Sequence, residues 1–387
     1  LEHRWWLDLS VPQSTPKQVT NFPERHIIVT IWISVEKLTS LFEAMADTFP
    51  MNDEEKRAWV EHSVIAELRG NIMQGLEHLG YHWFQRFTDG TTNWQSRPRF
   101  IKEAPAFAIF DADGKMGAWV SRHVMRTACE RAKQSGVYTI AVRNSPDWMM
   151  MSFSTRQALD YDCVGLAFAN SRPDVAPWGG TKATYGHCVI SAALPAGRHF
   201  PLLLDMAAND TGGLQAQVQL MRGIMPQGLY FDADGNPADN PDLWGTDNIN
   251  WGIKGGAQRM SGYRDLALTA IIDGFAGALT GMKCALDLGV PEPVVDGERT
   301  PRGQIVMAFD IAQFTEVAEF KNKIDRAIDQ AKSSPLEPGF DEILMPGERG
   351  YREEEKRRIN GVPIEPRVWA DVRDLCSMRG IDANAFL

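Results

Sequence analysis

Gln74, His78 and His82 recur every four residues in the stretch ELRGNIMQGLEHLGYHWF, residues 67–84. On a continuous helix that spacing puts all three on one face. Glu77 stands beside them, and Gly75 and Gly80 weaken the helix. Two imidazoles four apart can bind a metal, and an adjacent glutamate is the base of hydrolytic zinc sites. The HExxH order is absent and no third ligand can be named, so no metal is assigned. The alternatives are a pocket-lining role for His78 and a structural or interface role for His82.

Other residues invite chemistry one at a time. Asp147 follows Pro146 and precedes Trp148, Met149, Met150 and Met151. An apolar wall of that kind raises a carboxyl pKa and makes a general acid, whereas a bland reading makes Asp147 a turn residue. His187 precedes Cys188, but neighbours in a strand face opposite ways, which argues against a thiol–imidazole pair. Asp205 ends an apolar run, where a carboxylate needs partners. Asp-Ala-Asp-Gly occurs at 111–114 and 232–235. The glutamate that closes a calcium loop is missing from both, so both read as tight turns.

The elements that must carry these residues are legible in outline. Ser34 is a plausible cap for the helix in SVEKLTSLFEAMADTF, and Asn52 with three acids suits the start of the next. AFAIFDADGKMGAW reads as strand, turn and helix, and Gly136 ends that helix. VYTIAVRNS, CVGLAFANS, CVISAALP, FPLLLDMA and GQIVMAFDI read as strands. YRDLALTAIIDGFAGALTG and EVAEFKNKIDRAIDQAKSS read as helices. The divisions expected are an N-terminal arm over 1–32, a helical part over 33–140, a central sheet and cofactor domain over 141–310, and a completing C-terminal part over 311–387.

Composition narrows the class. The 387 residues are 44% hydrophobic and 23% charged, with a formal net charge of −10. That is a globular composition, and its acidity disfavours nucleic acid. No apolar run spans a bilayer. Five scattered cysteines without a CxxC pair suggest reduced thiols and a cytoplasmic setting. The first residues lack a charged-then-apolar leader pattern.

In order and spacing, AELRG, GVYTIAVRNSPDWMMMSF, APWGGTKATYGHCVISAALP, LLLDMA, FDADGNP, GFAGALTG and MPGERGY resemble the malate/L-lactate dehydrogenase-like oxidoreductases that lack a Rossmann fold. The RNS..W and PWG pieces are most similar to the 2,3-diketo-L-gulonate reductase branch. The resemblance covers about residues 33–385, and no GxGxxG follows the first strands. It implies an α+β fold with a mixed, largely antiparallel sheet, NAD or NADP as cofactor, a small 2-oxo, 2-hydroxy or cyclic imino acid as substrate, and a homodimer.

Carried over residue by residue, the resemblance also shows exchanges. Where the family reads Ser-His-Gly and then an Arg, this chain has Met73, Gln74, Gly75 and His78. Gln74 cannot give up a proton near neutral pH, and His78 lacks the guanidinium fork. Asn-Ser-Asn-His becomes Asn144, Ser145, Pro146 and Asp147, followed by Trp148. Gly-Thr-Asn-Pro becomes Gly186, His187, Cys188 and Val189. The stretch along the cofactor keeps Asp205, Met206 and Ala207, with Asn209 for Ser. The cofactor-facing Lys becomes Ser261, with Arg259 and Arg264 nearby, while Gly347, Glu348 and Arg349 keep their loop.

The expected catalytic residues are therefore His78, Asp147, Gln74 and His187, with His78 or Asp147 as the replacement proton group. Arg69 or Arg143 is the expected anion clamp, with Asn144 and Trp148 beside the substrate. Two other functions remain open from sequence: a lyase, hydrolase or isomerase step that uses His78 and Asp147, and a catalytically silent binding subunit.

Overall fold

The computed structural model describes residues 30–77, 79–209, 228–238, 244–245, 252–253, 256–289 and 302–387. The expected arm therefore lies outside the described residues up to position 29, as does His78.

Two helices follow the first short strand, and both are capped by their own sequence. For α1 (Val35–Ala46), the Ser34 side chain accepts from the Lys37 amide. For α2 (Asp53–Leu68), Asn52 accepts from the amides of Glu54 and Glu55, while the Glu55 carboxylate accepts from the Asn52 amide. This is a reciprocal capping box built on asparagine. The helices join through Leu38, Phe42, Trp59 and Leu68. The far end of the sequence completes this core. β1 (Ile31–Ile33) pairs antiparallel with β14 (Val362–Ile364), and Trp369 and Val372 of the helix Pro366–Ser377 join the same cluster.

A seven-stranded sheet forms the second layer. Its strands are β2 (Arg99–Glu103), β3 (Phe107–Asp111), β4 (Val137–Ser145), β5 (Cys163–Ala169), β7 (Val189–Leu194), β8 (Leu202–Ala207) and β13 (Arg302–Asp310). They lie in the order β2-β3-β4-β13-β5-β7-β8, and the short strands β6 (Val175–Ala176), β9 (Tyr230–Phe231), β10 (Trp244–Gly245), β11 (Gly252–Ile253) and β12 (Ala257–Arg259) lie outside this sheet. Only β3 and β4 are parallel; every other neighbouring pair is antiparallel. A parallel pair needs a long crossover, which α4 (Gly117–Ser135) supplies. Its buried residues Val124, Ala128 and Ala132 share a core with Ile140, Val142, Val306 and Ala308. The fold is α+β with a mixed, largely antiparallel sheet. The sheet takes β2 and β3 from the 33–140 segment as well as strands from 141–310.

The stretch after α2 departs from the expected helix. Gly70 adopts a left-handed conformation (φ 72°) and stops α2. A short 3₁₀ turn follows at Ile72–Gln74, then a wider π-type segment over Leu79–Phe84 that runs into α3 (Gln85–Thr88). Gln74 and the segment beyond Gly75 therefore do not lie on one helical face. The reason is packing. The Glu67 carboxylate turns back and accepts from the Leu76 amide at 2.6 Å. A Cβ on Gly75 would sit 2.2 Å from that carboxylate, so only glycine fits.

Burial pushes the Glu67 carboxyl up to about 7, against the pull of the Leu76 amide and Arg357. Its ordinary value is 4.5. The folded state thus holds this proton more tightly than the unfolded chain does. The stability involved is complete below the unfolded value and is lost as pH rises through about 7. Glu67→Gln keeps an acceptor for Leu76 and removes the titration. It is expected to flatten the loss of stability between about pH 5 and pH 8. Urea midpoints measured across that range check this, and equal slopes in both proteins would refute it.

Candidate active site

One end of the sheet gathers chain segments from far apart. Register places Ser145 opposite Arg302, Gln304 opposite Ala169, Ala169 opposite Val189, and Val189 opposite Ala207. The start of β13 and the ends of β4, β5 and β8 thus meet along one edge, where β7 begins. Loops leaving that edge carry Asp147 to Met151, Asn170 to Asp174, and His187. Together with Asn71, Gln74 and Arg86 from beyond α2, they line a cavity of about 370 Å³, within the usual range of small-molecule sites.

Three charged groupings face this cavity. On the first wall Asp147 lies between two arginines, 2.7 Å from Arg302 Nη1 and 3.4 Å from Arg86 Nη1. Asp147 also accepts from the Met149 amide at 2.9 Å. Its place is fixed from behind, because a Cβ on Gly117 at the head of α4 would fall 2.0 Å from the Asp147 carbonyl oxygen. Trp148 is buried and donates to Ser145 Oγ at 2.9 Å. The expected apolar wall is present in Trp148 and the methionines, but the Asp147 carboxylate meets guanidinium groups.

The second grouping is His187 with Asp174 and Asn209. Its Nε2 lies 3.2 Å from Asp174, and its Nδ1 lies 3.3 Å from Asn209 Oδ1. Burial pulls the imidazole pKa down, but Asp174 and Asn209 outweigh it and leave the group raised. Cys188 points the other way, fully buried with Ala208 and Ile272. Burial raises its thiol pKa, so it is no nucleophile.

The third is Asp205. It accepts from the Ser152 amide at 2.7 Å, at the start of α5 (Met151–Thr155). Its side chain is open to the cavity yet walled in by protein. This enclosure pushes its carboxyl up to about 6, against the Ser152 amide and the Arg69 charge. Met206 and Ala207 line the same wall.

The remaining expected site residues lie elsewhere. Arg69 is buried, pairs with Glu354 at 3.2 Å, stacks over Tyr351 and donates to the Gly347 carbonyl. It braces the loop of Gly347, Glu348 and Arg349. Glu348 itself pairs with Lys332 and Arg352. Arg143 donates to the Thr280 carbonyl. Asn144 takes a left-handed conformation and donates to Asp111. The Ser261 amide donates to Asp265. None of these residues lines the cavity.

Conversely, Asn71, Arg86, Arg172, Asp174, Arg302 and Gln304 line it without having been singled out from sequence. His62 was also passed over. Its Nε2 accepts from the Met150 amide at 3.2 Å. Burial takes its pKa to about 3 despite nearby Asp147, so it acts as a neutral acceptor steadying the methionine loop. Among the described residues no three His, Cys, Asp or Glu side chains gather as a metal site would require.

A non-Rossmann α+β fold with a small-molecule cavity at one sheet end defines the class. The sequence profile of the malate/L-lactate dehydrogenase family matches residues 33–373, and the chain belongs to that family. The chain is 26% identical over 360 residues to malate dehydrogenase of Pyrococcus horikoshii, covering 91% of this chain and 96% of that protein. The structure of sulfolactate dehydrogenase from Methanocaldococcus jannaschii superposes with a TM-score of 0.79 at 25% identity, covering 92% and 99% of the two chains. Malate dehydrogenase from Entamoeba histolytica shares the fold with a TM-score of 0.82 at 19% identity, covering 91% of this chain and 99% of that one.

Proposed function

We propose that this chain is an NAD- or NADP-dependent oxidoreductase acting on a small 2-oxo or 2-hydroxy acid, or on a cyclic imino acid. Membership of the family supports an oxidoreductase acting on small acids. The single observation that carries the finer reading is the cavity itself. It sets the Asp205–Ala207 strand, which the family resemblance places along the cofactor, beside an arginine that has donors to spare. Arg302 uses Nη1 on Asp147, and its remaining N–H groups suit a substrate carboxylate. Asp147 orients that guanidinium. Asn71 and Gln74 supply amides for the substrate oxygen.

The residues present fit a nicotinamide. The methionines and Trp148 offer an apolar wall, and Met206, 44% exposed, offers a face against which a planar ring can lie. A bound nicotinamide supplies hydride to the substrate carbon or accepts it back. The protein's part is to anchor the carboxylate, keep the reacting carbon away from water and move one proton.

A second reading, a binding subunit without turnover, draws on Gln74, which stands in the cavity where relatives in the resemblance keep a proton donor. The expected result of titrating the protein with NADH and NADPH is fluorescence quenching by at least one of them. Turnover is then expected with a member of a panel of 2-oxo and imino acids. No binding of either nucleotide sinks the leading reading, while binding without turnover across the panel favours the silent subunit.

A further inference from the structure

We infer that Asp205 is the group that exchanges a proton with the substrate's carbonyl oxygen or imine nitrogen in this chain, taking the task that Gln74 cannot perform. This deepens the proposed oxidoreductase reading and rests on it. Among the described residues that line the cavity, the other acids and bases are engaged. Asp147 is held between Arg302 and Arg86. Both nitrogens of His187 are taken, by Asp174 and by Asn209. Asp174 is occupied by His187 in turn. Glu67 accepts from Leu76 and faces a separate cavity behind the 71–77 segment. His62 is buried behind Met150 and does not reach the cavity.

Asp205 differs in geometry. One oxygen is fixed by the Ser152 amide. The strand beneath is tied down by Ser191, which sits opposite Asp205, donates to the Leu204 carbonyl at 2.8 Å and shares a hydrogen bond with Thr155. The carboxyl group is thereby held rigidly while its side chain opens into the cavity, as a proton donor requires. Its setting keeps a proton available near neutral pH, since burial outweighs Ser152 and Arg69 and brings it to about 6. The charged groups around it are Arg69 behind, itself neutralised by Glu354, and across the cavity the Arg86–Asp147–Arg302 set, Arg172 and the Asp174–His187 pair.

The step balances. In reduction the substrate carbon gains the hydride supplied by the reduced nicotinamide, and the C=O or C=N π pair moves onto the heteroatom. That atom takes the proton from Asp205, which is left as a carboxylate and is reprotonated from water. Oxidation of the hydroxy or amino acid is the reverse.

Two measurements test this. Difference infrared spectra of the whole protein against Asp205→Asn are expected to contain a protonated carboxyl band that titrates near pH 6. Absence of that band between about pH 5 and pH 7 overturns the inference, whether or not a substrate is known. With a substrate that turns over and nucleotide at saturation, Asp205→Asn is expected to lower kcat about 10²- to 10⁴-fold. The fall in the reduction rate above pH 6 should vanish in this variant, and Asp205→Glu should recover part of the rate. Retained activity within a few-fold, with the same pH profile, overturns the inference and leaves the oxidoreductase reading intact. Loss of nucleotide binding in the unaltered protein sinks that reading, while the infrared band still judges Asp205.

Discussion

Arg302→Leu is expected to raise KM for a small oxo acid about 10- to 100-fold, the loss of one or two charge-assisted hydrogen bonds to a carboxylate at about 1.5–3 kcal/mol. The argument is positional. Arg302 begins β13, next to the strand that carries Asp147 on its outgoing loop, and it lines the cavity. Its Nη1 is fixed by Asp147 at 2.7 Å, so the rest of the fork is pre-oriented. Arg302→Lys should recover little, because an ammonium keeps the charge but loses the two-point geometry. Asp147→Asn should cost less than either, since it leaves the guanidinium in place and only loosens it. Steady-state kinetics across these variants decide the matter. If KM for Arg302→Leu stays within about threefold of the unaltered protein, the clamp is another residue, and Arg172 on the opposite loop is next to test.

Trp59→Ala is expected to destabilise the protein by about 3–5 kcal/mol. Trp59 is fully buried, and its ring stands edge-on to Phe42 at 5.6 Å, Phe87 at 5.7 Å and Trp83 at 6.0 Å. Removing it empties the junction between α2 and the segment that brings Arg86 to the cavity. Trp59→Phe should cost markedly less. Trp59 Nε1 is buried and makes no hydrogen bond among the described residues. Its loss therefore recovers part of the about 1–3 kcal/mol that a desolvated donor costs, while most of the aromatic contact survives. Urea denaturation of both variants measures the two shifts. Equal losses for alanine and phenylalanine would show that ring volume does not dominate here.

Much of the fold was legible because its elements are locally consistent. VYTIAVRNS and CVGLAFANS are apolar runs of strand length, and they became β4 and β5. Gly136 ends α4 with φ 78°, as its position suggested. The 67–84 stretch was not legible. Its four-residue spacing is real, but a spacing implies a shared face only while the helix continues. Gly70 and the Glu67–Gly75 contact end it, and the fold of a carboxylate back onto an amide nine residues later leaves no periodic mark.

The cavity was legible only where the family resemblance pointed. Gln74, Asp147, Trp148, His187, Asp205, Met206 and Ala207 line it. Arg86, Arg172 and Arg302 do not belong to any local motif. They are lone arginines: sheet register brings Arg302 and the loop of Arg172 together, the helical segment beyond α2 adds Arg86, and register is a property of pairing rather than of any one segment. Arg69 and Arg143 stood next to recognisable motifs and drew attention for that reason, yet their guanidinium groups serve Glu354 and the Thr280 carbonyl.

The pairing of β1 with β14 has a consequence for how the chain is made. Synthesis runs from one terminus, so α1 and α2 leave the ribosome long before Val362, Trp369 and Val372 exist to cover them. Until then α1 and α2 pack on each other through Phe42 and Trp59 but lack the cover that Val362, Trp369 and Val372 provide. The sheet can begin to assemble in this interval, but the layer that positions Asn71 and Gln74 closes last. The layer behind Asn71 and Gln74 is therefore complete only after the helix Pro366–Ser377 has been made.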